Sequence, residues 1–451
     1  MHSVVVGLGK TGAACLRYLT KRGIAVRATD SRRAPPGLAE LGDLAGSLDL
    51  RLGGFDLSLL EGASQVLLSP GVSLEEPIAR AARARGIEVL GDVELFARNV
   101  SAPVIGVTGT NGKSTVTTLV ARMAEAAGRS VLAGGNLGVA ALDLLERPTP
   151  DLYVLELSSF QLETTSSLHL KAAVVLNVSA DHLDRYPSVA DYARAKSRIF
   201  ARAATVVLNA DDPLVSAMRD AVHPRDPVRI VTFSIEETRS AGRAADFSLL
   251  SDGARIRLAA HGVDVLDTSW MKIAGLHNAA NALAALALGE AVGLPMPKMI
   301  EALQSFPGLP HRSQWVADVA GVRYVDDSKG TNVGATIAAV GGMPGPLVMI
   351  AGGQGKGQDF APLAPAFRGK VRHVVLIGRD AGLLAAALAG VCSTETAGSM
   401  PEAVAAAARA ARPGDTVLLS PACASFDMFR DYGHRGAEFA AAVRRLCAGP
   451  A

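Results

Sequence analysis

The chain has 451 residues, a formal net charge of +2, 49% hydrophobic residues and 20% charged residues. This length is too great for one hydrophobic core and predicts two or three domains. The near-neutral charge without any basic tract argues against a nucleic-acid binder, and the most apolar helix candidate, residues 279–293, is too short to cross a bilayer. Four cysteines without metal-ligand spacing, and a start without a signal sequence, favour a cytoplasmic protein with no membrane insertion.

The first segment alternates short apolar runs with helical patterns. Strands are predicted at residues 4–6, 24–29, 66–69 and 87–90, and a helix is predicted at residues 11–22. Strands that alternate with helices form parallel α/β sheets. We therefore expect a first domain of this class at residues 1–98.

A glycine-rich turn follows the first predicted strand. Gly7, Gly9 and Gly12 have the spacing G-x-G-x-x-G, and Asp30 ends the next predicted strand. This pattern is typical of dinucleotide-binding folds, in which the backbone approaches a diphosphate and the acid meets a ribose or base. An NAD-dependent oxidoreductase is therefore one alternative, although the motif by itself indicates only a tight turn and a phosphate-sized gap.

The alternation of strands and helices restarts twice more along the chain. The second segment has predicted strands at residues 104–107, 152–156, 173–177 and 205–209, an antiparallel patch within residues 229–273, and helices at residues 279–293 and 297–305. The third segment has predicted strands at residues 323–326, 347–351, 373–377 and 416–420 and a closing helix at residues 436–447. A linker rich in proline and glycine separates them at residues 306–310. The expected fold is α/β with three Rossmann-like, parallel or mixed sheets flanked by helices, and the second and third domains are expected at residues 99–308 and 309–451.

Residues 106–115, GVTGTNGKST, predict a site for a nucleoside triphosphate. They follow an apolar strand and open a helix, so backbone N–H groups and the helix dipole point at one anion. Lys113 adds a charge for the β- and γ-phosphates, and Ser114 and Thr115 place hydroxyls where Mg²⁺ usually binds. Val107 stands where the common P-loop has its first glycine, so this loop is a variant. We expect a P-loop-type ATPase fold in the central domain.

Polar residues also mark the ends of later elements. Glu156 ends an apolar strand, where α/β sheets place ligands, and its carboxylate suits Mg²⁺. His182 lies in a strand-end loop beside Asp181 and is a candidate ligand for a second Mg²⁺. Lys196 by itself looks like a lysine on an amphipathic helix, and Asn278 is predicted to cap the helix that follows it.

Six stretches of the chain together resemble the Mur ligase family, whose members are ATP-dependent ligases that build the peptidoglycan stem peptide. The stretches read GTNGKST, ELSSFQLETT, DHLDRY, GLPHR, DDSKGTN and SPACAS, and they extend over all three segments. The resemblance implies an amide ligase that phosphorylates the carboxylate of UDP-N-acetylmuramoyl-L-alanine with ATP and then joins the acyl phosphate to the amine of D-glutamate. It further implies ATP and two Mg²⁺ ions, a role in cytoplasmic peptidoglycan synthesis, and a protein that we expect to be a monomer.

The resemblance assigns residues to several functions. The candidates for ATP binding are Gly109, Thr110, Asn111, Gly112, Lys113, Ser114, Thr115, Asn281, Arg312 and Asp327. The candidates for binding the UDP-sugar are Gly9, Lys10, Thr11, Asp30, Ser31, Arg32, Gly71, Asn136, Ser158, Gln161 and His182. The candidates for the amino acid are Lys329, Thr331, Lys356, Ser425, Phe426 and Tyr432. The metal candidates are Ser114, Thr115, Glu156, His182 and Lys196, the last as a carbamate formed with CO₂, and the catalytic candidates are Lys113, His182, Lys196 and Arg312.

The chain departs from the family pattern at three positions, two of them among these candidates. Ser31 stands where threonine is frequent, Gln354 where aspartate is frequent, and Tyr432 where phenylalanine is frequent. Other Mur-type ligases and folylpolyglutamate-type ligases stay as alternatives, although the sequence lacks the D-N-P-R box of the diaminopimelate-adding enzyme. A nucleotide-switched binding protein is a further alternative, but it would leave the third domain without a role.

Overall fold

The computed structural model of the protein describes residues 1–221, 228–236, 245–253, 255–273, 275–343 and 345–448. Over these residues the chain forms three α/β units in series, and each unit is built on its own sheet. Helices cover the sheets, as expected for parallel strands that are buried on both faces. The predicted fold class is thus confirmed.

The first unit contains a five-stranded parallel sheet. Its strands are β1 (His2–Val6), β2 (Val26–Asp30), β3 (Asp49–Leu52), β4 (Ala63–Leu68) and β5 (Glu88–Leu90). Its helices are α1 (Lys10–Lys21), α2 (Leu38–Leu41), α3 (Pro77–Ala84) and α4 (Asp92–Ala97). The strand order β3-β2-β1-β4-β5 reverses at β1, so the glycine-rich turn between β1 and α1 opens at the crevice where such sheets bind ligands.

The second unit contains a nine-stranded mixed sheet. Its strands are β6 (Val104–Thr108), β7 (Val131–Gly135), β8 (Leu152–Glu156), β9 (Ala172–Val175), β10 (Thr205–Asn209), β11 (Arg229–Phe233), β12 (Phe247–Ser251), β13 (Ile256–Ala260) and β14 (Val263–Asp267). Its helices are α5 (Lys113–Ala126), α6 (Ala141–Leu144), α7 (Ser159–Glu163), α8 (Val189–Ser197), α9 (Pro213–Ser216), α10 (Leu276–Ala291) and α11 (Met296–Ser305). In the order β14-β13-β12-β11-β10-β9-β6-β8-β7, the last three strands of this unit, β12, β13 and β14, pair antiparallel at one edge, which confirms the predicted antiparallel patch.

The third unit contains a six-stranded sheet in which only the pairing of the first two strands is antiparallel among the described residues. Its strands are β15 (Gln314–Val319), β16 (Val322–Asp326), β17 (Leu347–Gly352), β18 (Val371–Ile377), β19 (Ser393–Thr396) and β20 (Thr416–Leu419). Its helices are α12 (Val333–Gly342), α13 (Leu363–Phe367), α14 (Ala381–Ala387), α15 (Met400–Ala410) and α16 (Tyr432–Ala448). The order β15-β16-β20-β17-β18-β19 places the loops after β16, β17 and β20 side by side.

Helix α10 shows how the sequence builds the central core. Its alanines and leucines are apolar on every side, and Leu283, Leu286 and Leu288 are fully buried where the helix packs on α5 and the second sheet. The helix begins at Leu276 after Gly275, so the prediction that Asn278 caps it is wrong. No helix within the described ranges is both long and apolar enough to cross a membrane.

Four strands, β3, β7, β15 and β19, were not predicted from the sequence, and each of them lies at an edge of its sheet. The three sheets fall within residues 2–90, 104–267 and 314–419. The domain boundaries expected at residues 98 and 308 lie in the connections between these sheets, and they stay predictions.

Candidate active site

Three cavities lie in a row along the strand ends that carry the sequence motifs. The N-terminal cavity, of about 480 Å³, is lined by the candidates Gly9, Lys10, Thr11, Asp30, Ser31, Arg32, Gly71, Asn136 and Gln161. The central cavity, of about 390 Å³, is lined by Thr110, Lys113, Ser114, Glu156, Ser158, His182, Lys196, Thr331, Lys356, Ser425, Phe426 and Tyr432, among others. The interdomain cavity, of about 350 Å³, is lined by Thr115, Asn281 and Asp327.

The three cavities share walls. Asn136 lines both the N-terminal and the central cavity. Asn111, Gly112, Arg312 and Lys329 line both the central and the interdomain cavity. The candidates therefore lie along one continuous site, except Gly109, which lines none of the three. Ser158 and His182, expected at the UDP-sugar, line the central cavity.

The phosphate loop runs from β6 to the first residue of α5. Gly112 caps this helix with a φ of +84°, and a Cβ at this position would collide with the side-chain oxygen of Asn281. Only glycine tolerates both this positive φ and this close approach of Asn281. The loop thus lies directly against Asn281 of α10, the residue predicted to meet adenine.

Two lysines converge on this loop. Lys113 Nζ donates to the carbonyl oxygens of Gly109 and Thr110, at 2.8 Å each. Lys196 Nζ, buried at the end of α8, donates to Gly109 O at 2.9 Å and lies 4.4 Å from the centre of the Tyr192 ring. Burial, and then the nearby charge of Lys113, hold the pKa of Lys196 well below its usual range. The neutral amine is therefore an accessible form of this side chain.

A carboxylate and a hydroxyl face the start of α5. Ser114 Oγ donates to Glu156 Oε2 at 2.6 Å, and Asn136 Nδ2 donates to Glu156 Oε1 at 2.6 Å. Arg312 Nη2, from the segment immediately before β15 of the third unit, donates to Ser114 Oγ at 2.7 Å. Although burial raises the pKa of Glu156, the charge of Lys113 and these donors lower it overall, so the carboxylate is ionised.

His182 lies in an aromatic cluster formed with Phe160, Tyr186 and Tyr192. The ring centre of His182 is 4.9 Å from that of Phe160 and 6.0 Å from that of Tyr192. Burial lowers the pKa of His182, and this effect outweighs the charge of Asp181, which acts to raise it. The imidazole is therefore neutral near pH 7, which is the form that ligates a metal.

These residues fit a magnesium site in part. Among the described residues, no group of three or more His, Cys, Asp or Glu side chains is arranged to hold a metal ion. Ser114 Oγ and Glu156 Oε2 nevertheless offer two adjacent hard oxygens next to the phosphate loop, which suits Mg²⁺ that is otherwise held by phosphates and water. The amine of Lys196 offers no such oxygen unless it is carboxylated.

The third unit supplies a polar wall to the central cavity. Lys329 Nζ lies 3.8 Å from the centre of the Tyr432 ring, and burial lowers its pKa to about 8. Lys356 Nζ lies 3.9 Å from Asp181 Oδ1 of the central unit. Ser425 is buried beside these cations. The wall is therefore cationic and suits a ligand with carboxylate groups.

Asp327 of the third unit lies at the interdomain cavity. Its carboxylate accepts hydrogen bonds from Ser313 N at 3.0 Å and from Ser420 Oγ at 2.8 Å. Burial raises the pKa of Asp327 to about 7. This carboxyl is positioned to accept from a hydroxyl donor in the cavity.

The carboxylate of Asp30 in the N-terminal cavity is fully bonded within the protein. It accepts from Leu8 N at 2.6 Å and from Arg32 N, Nε and Nη2 at 2.8, 2.9 and 2.7 Å. Burial raises its pKa, but the bonds from Arg32 and Leu8 lower it overall. Asp30 thus fixes the glycine-rich turn and the Arg32 side chain. This bonding was not anticipated from the sequence, where Asp30 and Arg32 were considered separately.

Ser158 and Gln161, both predicted to reach the substrate, also bond to each other. Ser158 Oγ accepts from Gln161 N at 3.2 Å, and Gln161 Oε1 accepts from Ser158 N at 3.1 Å, which forms a capping box on α7. Gln161 Nε2 also donates to Asp92 Oδ2 at 3.4 Å. The helix that carries both side chains is thereby fixed at the boundary of the first two units.

Several residues of the central site were not predicted from the sequence. Phe160, Tyr192 and Asn332 line the central cavity but were not proposed for any function. Tyr192 precedes Lys196 by one helical turn and Asn332 ends the DDSKGTN stretch. Their positions within these sequence motifs could have indicated that they line the site.

The chain matches three successive domains of one family. Residues 1–91 match the Mur ligase MurD-like N-terminal domain, residues 107–289 the Mur ligase middle domain, and residues 311–423 the Mur ligase glutamate ligase domain. The UDP-N-acetylmuramoylalanine–D-glutamate ligase of Nitrosococcus oceani is 53% identical over 449 residues, which cover 98% of this chain and 96% of the relative. The enzyme of the same description from Pseudomonas aeruginosa is 47% identical over 447 residues, 98% of each chain.

Solved structures with similar folds have much lower sequence identity. UDP-N-acetylmuramate-alanine ligase MurC from Thermotoga maritima has a TM-score of 0.62 and 20% identity, with 100% of both chains covered. MurF from Acinetobacter baumannii has a TM-score of 0.62 and 16% identity, with 98% of this chain and 90% of that chain covered. At these identities the likeness concerns the three-unit fold.

Proposed function

The chain belongs to the Mur ligase family, and on this premise we propose that it joins D-glutamate to UDP-N-acetylmuramoyl-L-alanine and converts ATP to ADP and phosphate in the same reaction. The relatives that are 46–53% identical over nearly the whole chain carry that description. The proposed setting is the cytoplasmic synthesis of peptidoglycan precursors. The proposed enzyme acts as a monomer, which is consistent with three cavities lined by a single chain.

The observation that carries the proposal is the continuity of the three cavities through Asn136 and Arg312. A UDP-sugar in the N-terminal cavity, held by the glycine-rich turn and Arg32, would extend its acyl end past Asn136 into the central cavity. ATP in the interdomain cavity would extend its phosphates along the loop into the same space. The acyl carboxylate and the γ-phosphate would meet beside Lys113.

In the first step, an oxygen of the L-alanyl carboxylate attacks the γ-phosphorus of ATP, and the bond to the ADP oxygen breaks. The product is an acyl phosphate. Lys113 and Arg312 approach this point from two different units, and their positive charges stabilise the charge on the phosphoryl oxygens during transfer. The protein therefore acts mainly by positioning the two reactants and by stabilising the charge on the phosphoryl group.

In the second step, the amine of D-glutamate attacks the acyl carbon. A tetrahedral intermediate forms, its nitrogen releases a proton, and the carbon–oxygen bond to phosphate breaks to give the amide and free phosphate. Lys329, Thr331, Lys356, Ser425, and the backbone near Phe426 and Tyr432 are proposed to hold the two carboxylates of the amino acid. The cationic wall of the third unit supports this assignment because D-glutamate is an anion.

We propose that two Mg²⁺ ions take part, and that bound Mg²⁺ neutralises phosphate charge during the transfer. Ser114, Thr115 and Glu156 would hold one ion and His182 would hold the other. Lys196 would contribute to the second as a carbamate: its neutral amine adds to the carbon of CO₂, an N–C bond forms, and a proton is released. The lowered pKa of Lys196 supports this because only the neutral amine reacts.

The test is a phosphate-release assay with ATP, Mg²⁺, UDP-N-acetylmuramoyl-L-alanine and a panel of amino acids. We expect release with D-glutamate and little with L-glutamate, L-alanine or diaminopimelate, and a product whose mass is that of the substrate plus one glutamyl residue. Preferred turnover of another amino acid would indicate a sibling Mur-type ligase, and turnover with a folate a polyglutamylating one. Tight binding of NADH without any ATP turnover would support the oxidoreductase.

A further inference from the structure

Two side-chain amides face each other across the boundary between the central and third units. Asn332 Nδ2 donates to Asn111 Oδ1 at 3.2 Å, and Asn111 Nδ2 donates to Asn332 Oδ1 at 3.4 Å. Asn111 is part of the phosphate loop, and Asn332 is the residue immediately before α12 in the third unit. Each amide both donates and accepts. Because the two residues belong to different units, the pair forms only when the units lie together.

Asn332 makes two further hydrogen bonds with the same side chain. Its Oδ1 accepts from Ala335 N at 2.8 Å and so caps α12. Its Nδ2 donates to Asp181 Oδ2 at 3.2 Å, and the other oxygen of Asp181 lies 3.9 Å from Lys356 Nζ. Asn332 is only 3% exposed, so all its polar capacity is used inside the protein.

The phosphate-loop side of the pair is held equally firmly. The backbone of Asn111 is fixed by two hydrogen bonds to one side chain. Asn111 N donates to Asn177 Oδ1 at 2.8 Å, and Asn177 Nδ2 donates to Asn111 O at 3.2 Å. The start of α12 approaches the same region closely, because a Cβ at Gly334 would lie 2.9 Å from Ser179 Oγ. The start of α12 is therefore in direct contact with this part of the central unit.

We propose that Asn332 is a positioning residue that couples occupancy of the phosphate loop to assembly of the amino-acid site. The inference rests on the proposed function for the identity of the two ligands. A nucleotide that contacts the loop would stabilise the position in which the Asn111 amide bonds to Asn332, and Asn332 in turn fixes α12 and orients Asp181 beside Lys356. Each ligand then favours the arrangement that the other requires, and the coupling is reciprocal.

A simple capping role makes a different prediction from this coupling role. Capping uses only the side-chain oxygen, which serine also provides. Coupling needs the amide nitrogen as well, because that atom reaches both Asn111 and Asp181. Asn332→Ser therefore retains the cap and removes the coupling, whereas Asn332→Ala removes both.

The first experiment measures the dissociation constant of D-glutamate by calorimetry, with and without a saturating non-hydrolysable ATP analogue and Mg²⁺. For the wild type we expect tighter binding with the analogue, by about 5- to 150-fold. In Asn332→Ser the ratio should fall to below about 2-fold, although the cap on α12 is retained. Asn111→Ala removes the partner of Asn332 and should lower this ratio equally. The variant that carries both Asn111→Ala and Asn332→Ser should lower the ratio no further than either substitution alone.

Wild-type coupling that persists in both Asn332→Ser and Asn111→Ala would overturn the inference. A second experiment needs only the nucleotide: small-angle X-ray scattering of each protein with and without the analogue. The wild type should become more compact and Asn332→Ser should change less. Equal compaction of both proteins would contradict the inference, even if no D-glutamate binding were found and the proposed function itself failed.

Discussion

Lys113 and Lys196 donate hydrogen bonds to one carbonyl oxygen, that of Gly109, at 2.8 and 2.9 Å. Two amines thus share a single acceptor beneath the phosphate loop, and burial lowers the pKa of both. Each positive charge disfavours the other. This arrangement suits a loop that binds a polyanion, because the ligand's negative charge would stabilise both amines in their charged form.

Replacement of Lys113 tests the assignment of the phosphate loop. We expect Lys113→Ala to lower kcat about a hundredfold or more, because loss of one charge aimed at a transferring phosphoryl group costs about 2.7 kcal/mol or more. The affinity for the UDP-sugar should stay near the wild-type value, since that cavity lies in the first unit. Phosphate release measures the first quantity and calorimetry the second.

Lys298→Ala provides the matched control for this variant. Lys298 is a surface lysine that pairs with Glu301 at 2.7 Å and lies outside all three cavities. We expect it to keep full turnover. A Lys113→Ala enzyme that was as active as this control would refute the assignment.

Replacement of Lys196 tests whether this residue acts as a carboxylate. We expect Lys196→Ala to be poorly active and to be partly rescued by acetate, because a small acid can enter the space left by the side chain and supply an oxygen ligand. Steady-state rates at increasing acetate concentration measure the rescue. Methylamine is the control: rescue by the amine and not by the acid would show that the lysine acts as a cation.

Replacement of Asp30 tests the N-terminal cavity. Because Asp30 holds both the glycine-rich turn and Arg32, we expect Asp30→Ala to weaken UDP-sugar binding by about 1.5–3 kcal/mol and to leave the KM for ATP unchanged. Titration calorimetry and initial rates check the two quantities. Arg51→Ala, at an exposed arginine of the same unit, should change neither, and an equal shift in the KM for ATP would contradict the separation of the two cavities.

Asp92 gives the protein a predictable dependence of stability on pH. Burial raises the pKa of this carboxyl from 3.8 to about 6 in the folded protein. The folded state therefore binds the proton more tightly than the unfolded chain, so the resulting stabilisation is complete below about pH 4 and is lost as the pH rises through about 6. The full loss corresponds to about 3 kcal/mol, since one pKa unit is worth about 1.36 kcal/mol.

Asp92→Asn removes this titration without changing the shape of the side chain. We expect the stability of the wild type relative to this variant to fall between about pH 4 and pH 7 and to be constant above that range. Urea unfolding at a series of pH values provides the measurement. Parallel curves for the two proteins across this range would mean that Asp92 is not the group responsible.

The sequence predicted the interior strands well and the edge strands poorly, for a physical reason. β6 and β8 are continuous apolar runs because both of their faces are buried, and their burial is complete. β3, β15 and β19 lie at sheet edges and contain no fully buried residue, and polar residues interrupt the sequence of each strand or, in β19, make up all of it. β7 contains two glycines and lies at the edge of the second sheet. Edge strands are fixed by pairing with a neighbour, which is not visible locally.

The same distinction holds for the candidate site. The phosphate loop and the residues at strand ends are recognisable because each motif is contiguous, and the family resemblance drawn from them is confirmed by the matches to the three domains. The Asn111–Asn332 pair and the hydrogen bonds between Arg32 and Asp30 depend on loop conformation and side-chain orientation, which a sequence motif does not specify. Whether each candidate residue performs its assigned role stays a prediction.

The bond between Arg312 and Ser114 joins residues that are 198 positions apart in the chain. A ribosome adds about 5 to 20 residues per second, so roughly 10 to 40 seconds separate the synthesis of the two side chains. During that interval the nascent chain has the phosphate-loop sequence but lacks the arginine that bonds to Ser114. The contacts of the central site can therefore be completed only after synthesis has reached the third unit.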